Sequence, residues 1–526
     1  MSRCCGWGPL VCCSVGTGLI LLGARMASAA DWYVSPAGCH ANSGQSLAQA
    51  FQSIPQAMTH VSDGDTIWVD AGTYDFDLDC YPVGAELRAR WAIYKAVTVR
   101  SLHGADLTFV VGQRHSADAA LGDFAMRGVY LADNATLMGV TIVNGNTKTY
   151  SSEPTDLYGG GILAASPSAE VYDCVIRDCS ANSMGGGAYR GTYTRTRIEH
   201  NSVPFGMLDG GGGVAQATLY DCHVVSNEFY GNLIFFAGHG GGAYQSTLYN
   251  CWIDGNRVVS GCGGGIYGSS AYNCIIRGNR AMTWNEWDNN IDRGMGGGAR
   301  ESELFNCTVI RNYAHNFGGG AQRCSNVVNS ILVGNVAGLG NPNHMDCTAM
   351  YSCSQPAPTG GVGNVDADPK FAGPGNFRLS ASSPCRDAGI WTPWMAAWPW
   401  DYDKYFRDPI TIPDMGAFEF VAGSAWDDGY QDLGGGWRRL AWFGDYAPMG
   451  GNGWIFHNRH GYWCAAANSL ASDIWFFTQD MGWLWTGSTT YPFMLRASDG
   501  AWLWYNGSVN PRWFRNMTAG TWESWP

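Results

Sequence analysis

Seven glycine triplets recur through the middle of this chain, and they constrain its fold more than any other feature. They end at Gly161, Gly187, Gly213, Gly242, Gly265, Gly298 and Gly320. A small or aliphatic residue follows each: Ile162, Ala188, Val214, Ala243, Ile266, Ala299 and Ala321. Then come a short strand-like stretch, a Cys or its substitute, alternating apolar residues and usually Asn. From the last Gly to that Asn is 14 residues in five copies, 15 in the next (Gly320 to Asn335) and 18 in the first, where Cys179 stands for Asn. The return from Asn to the next triplet varies instead: 12, 15, 9, 19 and 8 residues. One side of each repeat therefore has nearly fixed length, and the other accepts insertions, as in a stacked solenoid.

The shortest repeat is too short for a βαβ unit and suits one turn of three short strands, each pairing with its equivalents above and below. Ile253, Ile276 and Val309 are expected to form one inward line. Cys174, Cys222, Cys251, Cys274 and Cys307 form another, with Thr196 and Ser330 substituting. That line runs along the stack rather than converging, which suits an inward ladder of small residues better than a metal or redox site. The Asn line (Asn201, Asn227, Asn256, Asn279, Asn312, Asn335) is expected at a turn, each amide bonding the next coil. The triplets are read as tight turns needing positive φ.

These repeats resemble the bacterial right-handed parallel β-helix proteins of the pectate-lyase-like superfamily. They are also similar to polymorphic outer-membrane protein repeats, without the strict Phe-x-x-Asn half of that pattern. Trp32-Tyr33-Val34-Ser35, a helix-like Ser53 to Met58, Gly64 to Val69 and Gly72-Thr73-Tyr74 resemble the N-terminal cap of such proteins. Gly363 to Phe371, Phe377-Arg378-Leu379, Ser382 to Gly389 and Asp414 to Glu419 are similar to the closing segment of choice-of-anchor Q surface proteins. The resemblance implies an all-β solenoid over residues 31–421, with the repeat core at about 126–340 and the closing segment at 341–421.

Residues 1–30 read as a signal peptide: Arg3, an apolar stretch from Pro9 to Ala24, and Ala27-Ser28-Ala29 for cleavage. The expected location is secreted or on the outer cell surface, with no later span through a membrane. Loss of Arg3 and Arg25 takes the net charge from −13 to about −15. A chain this acidic is a poor partner for nucleic acid. A monomer is expected.

Residues 422–526 hold 13 of the 24 Trp. They read as a separate module of short antiparallel strands, similar to Trp-rich terminal repeats of environmental bacterial surface proteins. Its aromatics, among them Trp483, Trp485, Trp502 and Trp504, form the module's own core or stack on sugar faces. In the β-helix, the insertions offer Tyr230, His239, Trp284, Glu286, Trp287 and Asp288 as aromatics mixed with acids beside a long wall, either a glycan groove or two loops packed together. Outward charges such as Asp178, Arg197, Glu199, Asp254, Arg277 and Arg311 look like a solvated face. Nothing picks out a catalytic residue or a metal ligand. The expected function is a structural or adhesion protein contacting polysaccharide or cell-envelope glycan without a cofactor. The competing expectation is a polysaccharide lyase, which would need calcium, or a glycoside hydrolase.

Overall fold

The computed structural model describes residues 29–525, except 76–80, 83, 118, 207–209, 232–237, 284–291, 374, 421–425, 428, 450–452, 467–468 and 470. Residues 1–28 of the proposed signal peptide and four of the insertion residues (Trp284, Glu286, Trp287, Asp288) lie outside the described residues.

The repeats form a right-handed parallel β-helix. Three long all-parallel sheets of 12, 11 and 10 strands run the length of the stack. One middle coil illustrates the path. Ala243–Tyr244 belongs to the triplet wall, Thr247–Tyr249 to the second wall and Trp252–Asp254 to the third. Each corner is one residue in the left-handed region followed by one inward residue. Gln245 (φ 47°) turns into Ser246, Asn250 (φ 53°) into Cys251, and Gly255 (φ 65°) into Asn256. Asp, Asn or Gly tolerates such a corner well. The repeat longer by one residue places its extra residue, Ser325, at the first of these corners.

The structure adds a wall to the expected three. Immediately after the Asn line, Ser202–Gly206, Glu228–Gly231, Arg257–Val259, Arg280–Met282, Tyr313–Ala314 and Val336–Ala337 pair into a fourth, six-stranded parallel sheet. It carries its own small core of Ala181, Val203, Phe229, Val258 and Ala281.

The inward lines lie where the spacing puts them. Ile253, Ile276 and Val309 are in register and fully buried. The Cys line is buried too, but it is more than apolar filling. Each thiol donates to the carbonyl two residues earlier, Cys222 to Tyr220, Cys251 to Tyr249 and Cys274 to Tyr272, all at 3.3 Å. Thr196 and Ser330 make the same bond at 3.2 and 3.0 Å. The rung therefore selects a small side chain with one donor, which explains the Cys, Thr and Ser exchange.

The triplets work differently from the positive-φ turn expected of them. Only the first glycine has positive φ (Gly211, Gly240, Gly263). The other two are required by close approach between coils. A Cβ on Gly242 would sit 2.7 Å from the Gly265 carbonyl oxygen and 2.9 Å from the Asn256 amide carbon. Neither neighbour can retreat without breaking the stack. Gly242→Ala should therefore lower stability by about 1–3 kcal/mol, the usual range for overpacking. The urea midpoint of the variant checks it; an unchanged midpoint would show that the coils can part.

The N-terminal end of the stack is closed by the helix Ile54–Met58. Ser53 caps it, its hydroxyl accepting from the Gln56 amide, and Pro55 sits in the first turn. Ile54, Ala57 and Met58 join the main core.

Candidate functional site

Two surfaces hold those residues singled out from the sequence that are described. On the β-helix, Tyr230 and His239 belong to different parallel pairings. Tyr230 lies on the fourth wall opposite Val259. Burial, a hydrogen bond with Glu228 and the charge of that carboxylate raise its phenol above the ordinary value. His239 pairs with Cys262 just ahead of the triplet wall. Its ring lies tilted against Tyr267 at 4.1 Å and nearly parallel to Tyr244 at 6.2 Å. The outward charges pair along the coils. Arg197 contacts Glu199 at 2.5 Å, Arg277 contacts Asp254 at 3.5 Å, and Arg257 contacts Glu228 at 2.9 Å. Among the described residues, no three His, Cys, Asp or Glu side chains gather in a way that could hold a metal ion.

One broad face of the β-helix is covered by its own chain. The third position of the second wall carries Tyr220, Tyr249, Tyr272 and Phe305, stacked at 5.0, 4.7 and 5.1 Å. The closing segment folds back over them. Trp398 packs on Tyr220 and Tyr249, and Trp394 on Tyr272. The left-handed corner residues serve as rungs for this strap. Asn329 bonds both backbone groups of Ile390, Asn306 donates to the Asp414 carbonyl, and Asn273 donates to that of Trp400. Fully buried Arg407 pairs with Glu419 and donates to the Asp414 and Gly416 carbonyls. Sequence reasoning missed this strap. Its signal was an aromatic at one outward position of four successive coils, matched by Trp394 and Trp398 four residues apart.

The second surface is the C-terminal module, an 11-stranded antiparallel sheet from Gln431–Gly434 to Thr521–Trp525 in sequential order. Side chains alternate between its faces. One face is the module's core: Tyr446, Trp463, Ile474, Phe476, Leu484, Met494, Leu503 and Phe514 are buried there. The sheet curls around it, so His460 reaches the Tyr505 ring at 4.3 Å.

The other face points out. Over the seven strands from Trp454 to Asn516 it carries 14 side chains, of which 11 are aromatic and only Arg515 is charged. Trp483, Trp485, Trp502 and Trp504 all lie on it. Trp475 pairs across strands with Trp485, Phe477 with Trp483, Leu495 with Trp502 and Phe493 with Trp504. The rings meet edge to face: Trp485 and Trp502 at 5.9 Å and 85°, Phe477 and Trp483 at 5.4 Å and 62°. Such contacts hold each ring upright against its neighbour while leaving it open to solvent. Tyr462 is 59% exposed, Trp522 47%, Trp483 42% and Trp502 38%. The Trp485 indole N–H donates to Asp473 at 2.6 Å, which fixes that ring's orientation. One set of rings builds the module's core, and the set named from the sequence lies on the opposite face, outside it.

The class of protein this fold defines is a parallel β-helix carrying an antiparallel, aromatic-faced sheet. Several solved structures are similar to it. The crystal structure of pectate lyase Pel9A is 15% identical with a TM-score of 0.46, over 76% of this chain and 98% of that one. The complex of XylC with xylose is 9% identical (TM-score 0.39; 74% and 98%), and a rhamnogalacturonan lyase is 13% identical (TM-score 0.36; 67% and 87%). No family model and no curated protein matches the chain by sequence.

Proposed function

We propose that this chain is an exported surface or secreted structural protein that contacts carbohydrate, without catalysis, through the outer face of its C-terminal sheet. The observation that carries this is the composition of that face, 11 aromatic side chains out of 14 with one charge. An apolar surface of this extent held open to water marks an interaction site. Upright rings with sparse polar atoms suit the C–H faces of sugars, and seven adjoining strands with Arg515 as their one outward charge suit a neutral glycan over an acidic one. The β-helix serves as a stiff spacer behind it. The leader-like residues 1–30 and the resemblance of the closing segment to choice-of-anchor Q proteins support export and surface attachment.

The test is retention of the full chain on insoluble neutral polysaccharides such as cellulose and chitin, beside pectin and alginate. Wild type should bind a neutral polymer. Trp483→Ala, Trp485→Ala and Trp502→Ala should each weaken binding by about 1 kcal/mol. Their melting should be little changed, because the rings lie outside the module's core. Equal binding by the triple variant would sink the assignment. A reducing-sugar or unsaturated-product assay on the same polymers separates contact from cleavage; product formation would favour the lyase or hydrolase reading.

A further inference from the structure

The cysteines of this chain fall into two geometrical kinds. Those of the inward columns stack on their equivalents in the next coil and satisfy themselves on their own backbone, as Cys222, Cys251 and Cys274 do. Cys324 and Cys347 continue a column that Ser246, Ser269 and Ser302 occupy in earlier coils, and they make the same bond to the carbonyl two residues before. These thiols make the bond that a hydroxyl makes elsewhere in the same column.

Cys353 and Cys385 are different. Cys353 is an outward residue of the third wall, in register with Ile331. Cys385 belongs to the strap, whose backbone is held there by the Met415 amide bonding the Cys385 carbonyl. Both are fully buried in one cluster with Ile331, Leu379 and Met415. They approach from two separate segments rather than from stacked rungs, close enough for each thiol to shift the acidity of the other, and the Cys353 thiol donates to the Ala367 carbonyl at 3.2 Å. Ser383 turns the chain so that Cys385 faces the coil, its hydroxyl accepting from the Cys385 amide at 3.1 Å.

We propose that Cys353 and Cys385 form a disulfide that latches the closing strap to the last coil of the β-helix. A small-molecule disulfide such as oxidised glutathione supplies the oxidation. The Cys353 thiolate attacks one glutathione sulfur and expels a glutathione thiolate. The Cys385 thiolate then attacks the mixed disulfide at the Cys353 sulfur and expels the second. Two protein thiols are oxidised, one glutathione disulfide is reduced to two glutathiones, and the two thiol protons pass to solvent and the leaving thiolates.

The experiment folds the full chain with oxidised and reduced glutathione, alkylates remaining thiols under denaturing conditions, and maps non-reduced peptides by mass spectrometry. The expected result is a linked pair containing Cys353 and Cys385, lost on reduction, with Cys222, Cys251, Cys274 and Cys307 alkylated. Alkylation of both Cys353 and Cys385, or their linkage to other cysteines, would overturn the proposal. This needs no variant, so a folding failure cannot obscure it. Limited proteolysis tests the latch itself: reduction of wild type should make cleavage within 386–420 several-fold faster and leave Cys385→Ser unaffected. Equal rates for oxidised and reduced wild type would mean that no latch operates.

Discussion

Asn256→Ala is expected to cost about 3–6 kcal/mol, an effect usually reserved for large core truncations. The reason is the number of groups that one amide serves. The Asn256 side-chain oxygen accepts from both the backbone and side-chain N–H of Asn227, at 2.9 and 3.0 Å. Its NH2 donates to the Val224 carbonyl and to the next rung, Asn279, at 2.8 and 2.9 Å. All of these groups are buried. Alanine strands two donors and one acceptor where water cannot reach, each worth about 1–3 kcal/mol. Asn256→Asp keeps the acceptor but turns an oxygen toward the Asn279 oxygen and the Val224 carbonyl, so it should not rescue. Because Asn256 follows Gly255 and is not itself the left-handed residue, the backbone has no need of asparagine there. Denaturant unfolding measures the cost. Hydrogen exchange should show the loss concentrated in the coils from 202 to 282, since each coil leans only on its neighbours. A cost below 1 kcal/mol would mean that the ladder is ornament rather than support.

That ladder was legible in the sequence because stacking transmits identity. A side chain that bonds its own copy one coil away must recur at nearly the same distance from the last triplet glycine, and six asparagines do, five at 14 residues and Asn335 at 15. The fourth wall was hidden by the opposite circumstance. Its strands begin directly after each asparagine, but the insertions that follow differ in length, so no constant distance to the next triplet survives. The strap was hidden for a third reason. Its contacts join residues as far apart as Asp221 and Lys404, and no local period reports a segment that folds back along the stack.

The aromatic face was half legible. Trp-x-Trp at 483–485 and 502–504 announces a strand with large rings on one side. Alternation alone does not say which side is inward. The intervening residue does: Leu484 and Leu503 are the aliphatic partners that a core takes first, and they are buried while the tryptophans are not. In the strand at 461–465 the same logic runs the other way, because Trp463 has only Tyr462 and Cys464 as rivals, and it goes inside. For the insertion residues no comparable rule existed. Tyr230 and His239 are close in sequence, but parallel stacking puts Tyr230 in the fourth wall and His239 in a separate two-stranded pairing with Gly261–Cys262.

The interior of the aromatic module should make it sensitive to acid. His457 is fully buried, and its neutral ring is satisfied at both nitrogens. Nε2 donates to the Phe443 carbonyl at 2.9 Å, and Nδ1 accepts from the Arg459 and His460 amides at 3.1 and 3.2 Å. A second proton would have to occupy Nδ1, where two N–H groups already point. Burial lowers its pKa from 6.5 to about 4, and nearby Arg459 pushes the same way. His460 is lowered further, by burial first and then by the charges of His457 and Arg512. The unfolded chain binds these protons from pH 6.5 downward, while in the folded module His457 refuses its proton until about pH 4 and His460 holds out to lower pH still. Stability is therefore complete above pH 6.5 and is lost as the pH falls; the His457 share of the loss is over by about pH 4, and the His460 share continues below it. His457 alone accounts for about 3 kcal/mol of the loss. Exchange of the strand amides at 454–465 in the full chain, followed from pH 7.5 to 4, should show it. His457→Gln keeps a donor and an acceptor without a titrating ring, so its profile should be flatter by that amount. If wild type and His457→Gln lose protection in parallel, the acid sensitivity belongs to other groups.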